Sequence, residues 1–313
     1  MNIKQTILSN KLFEPILLLR AYLIKNTLLG KKYLKYRASL AFRHRFNRDI
    51  DWKNPKDLNE KIQWLKFHSD ISLWTDLADK YKVREYVKEC GLEHLLVKLY
   101  GVWENPEDID FDKLPESFVL KTNNSCGTNL IVKEKKNLDT DQAIGQLKKW
   151  ILESRRIITL EPHYFKIKPL IIAEEFLSTE NQDIGSNSLI DYKVWCINGE
   201  PQFVVAFYDR NTSPYSVELF DIDWTPHPEY RIFTEKAKLG TKQLSKPEVL
   251  NEMVLACRKL SMGFPQVRID FYIVNQKLYF GEMTFTSQGG SNYLYTQAFL
   301  NMLGEKIKLP KQN

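Results

Sequence analysis

Residues 268–290, RIDFYIVNQKLYFGEMTFTSQGG, constrain the fold more than any other stretch. Ile269, Phe271 and Ile273 alternate with Arg268, Asp270 and Tyr272, the period of a strand with one apolar face. Residues 275–277 are polar and read as a tight turn, and 278–284 returns as the partner strand. With the turn centred on Gln276, Asp270 falls opposite Glu282 and Arg268 opposite Thr284. Opposed side chains share a face, with Cβ atoms roughly 5 Å apart. Two carboxylates that close repel unless positive charge lies between them. Mg²⁺ meets that need, because it takes oxygen ligands and shares them with substrate phosphates. An Arg–carboxylate pair on a solvated hairpin face meets it equally. A two-residue turn would slip the register by one and break the pairing.

The chain around this hairpin has 313 residues, enough for a sizeable core and about two domains. Its four cysteines (90, 126, 196, 257) form no CxxC pair and its five histidines are dispersed, so a structural zinc site or disulfide framework has no support. A reducing cytoplasm is the simplest setting. The net charge of +6 is concentrated: residues 1–48 carry eleven Lys/Arg against one acid, Glu14, which leaves the rest near −4. A mildly acidic remainder argues against a nucleic-acid groove.

Residues 12–29 are apolar but interrupted by Glu14, Pro15, Arg20 and Lys25, which excludes a convincing membrane span or signal peptide. They read as a basic amphipathic helix over 16–29, with further basic helix over 33–48. Such helices lie on anionic membrane surfaces, or pack on their own protein with the basic face in water.

Helical spacing marks 57–68, with Asp57 or Asn59 as cap, and 77–90, ended by Gly91. In the second, the run 79–82 (DKYK) holds cations near a helix start, which a bound anion or plain solvent exposure explains. Residues 118–120 and 130–132 read as paired strands around a small polar loop, 122–129, with Lys121 at the strand end. Such a loop can fold over phosphates or be a simple turn. Residues 142–155 are an amphipathic helix, 170–177 (LIIAEEFL) an apolar strand running into acids, and 191–198 (DYKVWCIN) a strand leading to an Asn198–Gly199 turn. A return strand at 201–208 and a helix at 248–260 complete the series.

DKYK, the strand–lysine–small loop, EEFL, DYKV before a hairpin and RID…GEMT occur in an order that resembles the ATP-grasp superfamily, over about residues 75–290. With NPKDLNEKIQWLKFHSD ahead of the core, the chain is most similar to the TupA-like branch, associated with teichuronopeptide and surface-polysaccharide biosynthesis. The resemblance implies an α+β ATP-grasp fold of two lobes clasping a nucleotide behind a basic helical extension. Its parts would be 1–50 (extension), 51–115 (N-terminal helical or α/β region), 116–180 (small lobe) and 181–313 (large lobe). It further implies that Lys80 and Lys121 bind phosphates under a loop containing Ser125, Cys126 and Gly127. Glu174, Glu175, Phe176 and Leu177 would frame the adenine, and Asp191 the ribose. Lys193 would reach the terminal phosphate and Arg268 neutralise the transferred phosphoryl group. Asp270, Glu282 and Thr284 would hold Mg²⁺, although the family pattern usually has Asn at the position of Thr284. Gly289, Gly290, Ser291 and Asn292 follow the hairpin and would bind the acceptor, or form a plain loop.

The expected activity is an ATP- and Mg²⁺-dependent carboxylate–amine ligase acting through an acyl phosphate. Its substrates would be a uronic-acid glycan or lipid-linked glycan and an amine, in the cytoplasm or at the inner membrane face. Two other readings compete. A glycosyltransferase would need a DxD site near a strand end; Asp221-Ile222-Asp223 matches the letters, but such matches occur by chance, and a non-catalytic nucleotide-binding protein would need none.

Overall fold

The computed structural model of the chain describes residues 14–156, 159–180, 182, 184–242 and 244–311. Two sheets dominate it. The smaller has the order β1 (Leu99–Trp103), β4 (Ile171–Glu175), β2 (Phe118–Thr122), β3 (Asn129–Val132), all antiparallel. Its edge strand β1 lies upstream of residue 116. The larger has the order β10 (Lys277–Thr284), β9 (Gln266–Val274), β5 (Asp191–Ile197), β6 (Glu200–Tyr208), β7 (Tyr215–Asp221), β8 (Ala237–Leu239), and only β7 and β8 run parallel.

Each sheet has its own core. The amphipathic helix α6 (Thr140–Arg156) sets Leu147 and Ile151 against Phe118, Leu120, Ile171 and Ala173 of the small sheet. On the large sheet, α7 (Leu250–Ser261) covers one face, with Met253, Ala256 and Leu260 among Val194, Val267 and Ile269. The opposite face is covered only in part. There α3 (Leu58–His68) and α8 (Gln297–Lys306) pack Leu58, Ile62, Phe299 and Leu303 against Trp195, Val205 and Val217. Farther along the same strands that face turns polar. Between the sheets, Val97 and Leu177 bracket the small lobe and meet Val274 and Tyr272 of β9.

Several expected boundaries change. The helix expected over 77–90 is broken into α4 (Ser72–Ala78) and α5 (Val83–Glu89), because the Asp79 carboxylate accepts the N–H groups of Tyr81 (2.8 Å) and Lys82 (3.3 Å) and ends the first helix. Lys80 therefore sits in a turn. The N-terminal segment forms α1 (Glu14–Asn26) and α2 (Leu28–Phe46), split at Thr27, whose hydroxyl accepts the Gly30 N–H. Residues 1–13 of the basic extension lie outside the described residues. Asp57 caps α3 by accepting the Glu60 N–H at 2.9 Å. No helix among the described residues is long and apolar enough to cross a membrane.

Candidate active site

The β9–β10 turn is shorter than the three residues expected. Asn275 and Gln276 form it alone, both in the left-handed region (φ 54° and 57°), and the strands leave it paired Val274 to Lys277. Continued unchanged, that register would set Glu282 opposite Ile269, on the apolar face. Gly281 interrupts it as a β-bulge, after which Glu282 pairs with Asp270 and Thr284 with Arg268. The bulge is crowded: a Cβ on Gly281 would stand 2.9 Å from the Asp270 carbonyl oxygen. The expected pairing is thus present by a different route.

On its other side β9 pairs with β5, and Lys193 falls opposite Asp270. Lys193, Asp270 and Glu282 therefore form one row across three strands. Arg268 grips Asp270 with two hydrogen bonds, Nε to Oδ1 at 2.7 Å and Nη2 to Oδ2 at 2.8 Å, while Lys193 bonds the same Oδ2. Lys193 also pairs with Asp191 at 2.6 Å, and Arg210 reaches that carboxylate at 3.0 Å. Burial alone would lower the Lys193 ammonium, yet Asp270 and Asp191 hold it above its ordinary value. Burial likewise works against an ionised Asp270, but Arg268 and Lys193 pull its pKa down. Burial dominates at Asp191 and raises it. The Asp191 Oδ1 is buried and finds no partner among the described residues.

Glu282 is the open end of the row. Its Oε1 accepts the Thr284 hydroxyl at 3.1 Å and lies 3.5 Å from Arg268; its Oε2 lies 3.8 Å from Lys80. Thr284 in turn accepts from Arg268 at 3.1 Å, so this hydroxyl is engaged by protein on both counts. Among the described residues no three His, Cys, Asp or Glu gather as a metal cage. The donor set fits Mg²⁺, which is ordinarily held by one or two carboxylates and completed by phosphate oxygens.

The small lobe brings the remaining cations. Lys80 donates its backbone N–H to Asn123 (3.0 Å) and its ammonium to the Ser125 carbonyl (2.7 Å), tying the turn after α4 to the polar loop. Cys126 and Gly127 at the loop tip are exposed, with Gly127 at φ 74°. Lys121 pairs with Glu174 at 2.5 Å across β2 and β4, and Arg84 meets the same carboxylate at 3.3 Å. Glu175 donates its backbone N–H to Lys98, and Phe176 and Leu177 continue from the strand end toward β9.

The loop after β10 faces helix α3. Gln63 donates to the carbonyls of Gly289 (3.1 Å) and Gly290 (2.9 Å), and Lys66 donates to Gly289 at 2.8 Å. Asn292 is wholly buried and bonds Asn59 through its backbone N–H (2.8 Å) and its amide (3.0 Å). These contacts tie the segment to α3, while the Asn292 Oδ1 finds no partner among the described residues. Gly290 is hemmed in by Ile62 and Gln63, each 2.9 Å from where a Cβ would stand. Ser291 keeps partial exposure.

Sequence reasoning missed five residues here. Arg84 and Arg210 complete the ion pairs of Glu174 and Asp191. Glu161 accepts the Thr286 hydroxyl, and Tyr164 lies nearby, raised far above its ordinary value by burial and by the charges of Glu282 and Glu161. Lys66 is lowered to about 8 by burial.

Two lobes meeting at a polar face, with a lysine-bearing strand and loop on one side and a carboxylate hairpin on the other, define the ATP-grasp fold. A family model described as TupA-like ATP-grasp matches residues 60–308, and the chain belongs to that family. Among solved structures, D-alanine–D-alanine ligase from Bacillus anthracis aligns at 14% identity and a TM-score of 0.42, over 80% of this chain and 69% of that one. The D-alanine–D-alanine ligase from Helicobacter pylori aligns at 15% and 0.40, over 79% and 62%. L-amino acid ligase from Bacillus licheniformis aligns at 14% and 0.37, over 70% and 43%. The chain thus spans less than two-thirds of the latter two. No curated protein matches the chain.

Proposed function

We propose that the protein is an ATP-dependent carboxylate–amine ligase. Its acceptor is the uronic-acid carboxylate of a surface polysaccharide or lipid-linked precursor, and its second substrate is an amino acid or other amine. The observation that carries the reading is the row Lys193–Asp270–Glu282, bound by Arg268 and faced by Lys80. The glycan side rests on the resemblance to the TupA-like branch and its association with surface-polysaccharide biosynthesis.

When bound, Mg²⁺ and ATP supply the γ-phosphoryl group that converts a carboxylate into an acyl phosphate, which an amine opens to an amide as phosphate leaves. The chain's task is to let two anions approach. Lys80 and Lys121 would supply cations to the triphosphate oxygens, and Arg268 would neutralise charge on the transferring group. Asp270 and Glu282 would hold Mg²⁺. Residues 174–177 frame the base, and the free oxygen of Asp191 accepts a ribose hydroxyl. Loop residues 123–128 close over the phosphates and keep water from the acyl phosphate.

The Asp221-Ile222-Asp223 match lends the transferase reading no support. The Asp221 Oδ1 accepts the N–H groups of Asp223 (3.0 Å) and Thr225 (2.8 Å), and its Oδ2 faces His227 at 3.2 Å, so the carboxylate is consumed by its own turn. A non-catalytic reading draws on Asp270, whose two oxygens are both bonded by cationic side chains. Purified protein given ATP, Mg²⁺, candidate amines and uronic-acid glycans separates these. ADP release that requires both acceptors supports the ligase. UDP release from a UDP-sugar supports the transferase, and nucleotide binding with neither release supports a binding protein. The double variant Asp270→Asn, Glu282→Gln should weaken Mg²⁺-dependent binding of a non-hydrolysable ATP analogue about 100-fold, roughly 2.7 kcal/mol. Unchanged affinity would sink the metal assignment.

A further inference from the structure

We infer that the helical pair α1–α2 is a docking surface for an anionic lipid bilayer. The argument is independent of the reaction proposed above. The two helices fold sharply on each other at Thr27: a Cβ on Gly30 would lie 2.1 Å from the Ile24 carbonyl oxygen, so only glycine lets the second helix start so close to the first. The inner side is occupied. Leu34 and Ala38 pack on Phe67 together with Ile24, Leu160 and Phe165.

The outer side is open. Ile16, Leu19 and Leu23 recur at helical spacing on α1 and are 62%, 60% and 49% exposed, with Tyr22 beside them at 63%. At the elbow Leu28 and Leu29 are 71% and 78% exposed. Eight of the seventeen exposed large hydrophobic residues among the described residues fall between Ile16 and Leu40. Elsewhere such residues are scattered, as is normal; a concentration of this kind marks an interaction surface.

Charge chooses the partner. From Pro15 to Arg48 the sequence has nine Lys/Arg and no Asp or Glu. Several of these cations serve the fold: Lys35 lies over Trp52, Arg43 pairs with Asp49, and Arg48 pairs with Asp57 and Glu60. Lys31 and Lys32 are exposed, immediately after the apolar elbow. Aliphatic side chains at a tip with ammonium groups one turn behind match a bilayer, where the first enter the acyl boundary and the second meet anionic headgroups. A nucleic acid would use the lysines and leave the leucines in water. A protein partner would have to be strongly acidic around an apolar centre.

The test is flotation of the full chain with vesicles of phosphatidylcholine alone and of phosphatidylcholine with phosphatidylglycerol. The expected result is binding to the anionic vesicles that weakens as salt rises, and little binding to the neutral ones. Leu28→Asp with Leu29→Asp should lower the anionic-vesicle partition coefficient at least about tenfold while the circular dichroism spectrum and nucleotide affinity are kept, because both side chains are solvent-exposed. Lys31→Glu with Lys32→Glu should lower it and flatten the salt dependence. Three results would overturn the inference: no flotation at low salt, flotation undiminished in the leucine double variant, or a wild-type dimer by light scattering that the leucine variant abolishes.

Discussion

Two hairpins of the large sheet, β5–β6 and β9–β10, are built on the same kind of turn. Asn198–Gly199 joins β5 to β6 and Asn275–Gln276 joins β9 to β10, each with both residues at positive φ. Each hairpin also carries one register irregularity. In β5–β6 it lies next to the turn, between Trp195 and Cys196, among residues buried in the core. In β9–β10 it lies at Gly281, halfway along the returning strand. Because successive side chains point to opposite faces, one extra residue there moves Glu282 from the apolar side to the polar row. The same device trims a structural hairpin in one place and aims a carboxylate in the other.

Lys193 joins the two hairpins, and replacing it should have the largest effect. Lys193→Met leaves Asp191 and Asp270 buried with one cation fewer, and should cost about 3–5 kcal/mol in urea denaturation. A cost below about 1 kcal/mol would mean that Arg268 and Arg210 carry the load alone.

Lys66, which holds the loop beyond β10 and has no counterpart beyond β6, should give a pH signature. The folded chain releases its proton near 8 because of burial, whereas the unfolded chain keeps it to the ordinary 10.5. Between those values the unfolded state binds more protons, so stability rises with pH. Relative to Lys66→Met, the rise should approach about 3 kcal/mol from pH 8 to 10.5. Parallel curves for the two proteins would place the ammonium in contact with water.

Gly281→Val should cost roughly 1–3 kcal/mol and weaken nucleotide binding as well, since the new side chain must displace the Asp270 backbone. Gly199→Ala in the other hairpin should cost about 1 kcal/mol, from φ 85° alone, and leave nucleotide affinity unchanged. If both glycine variants altered binding equally, the two hairpins would not differ in the way described.

The sequence made the strands legible through their alternation and the turn at 198–199 through its Asn-Gly pair. It also placed Asp270 opposite Glu282, but from a three-residue turn with no bulge. A two-residue turn plus one extra residue gives the same sum of positions, and no local pattern separates the two. The break at Asp79 was hidden because DKYK reads equally well in a helix and in a turn; only the carboxylate's capture of two backbone amides decides it. Lys66, Arg84, Arg210 and Glu161 escaped for another reason. The partners of Lys66, Arg84 and Glu161 lie 90 or more residues away in sequence, and helical or strand periodicity carries no information at that range. Arg210 is nearer to Asp191, but the two sit on opposite sides of a hairpin whose outer loop has no repeat pattern.

Helix α3 carries a consequence for anyone who would transplant this catalytic module. Its Asn59, Gln63 and Lys66 grip the segment 289–292 from more than 220 residues upstream. A shortened gene starting beyond His68 would encode both sheets together with Asp191, Asp270 and Glu282, and still deliver a floor with one wall missing. Moving the glycine segment into a relative therefore calls for moving the helix with it, as a matched lock and hasp.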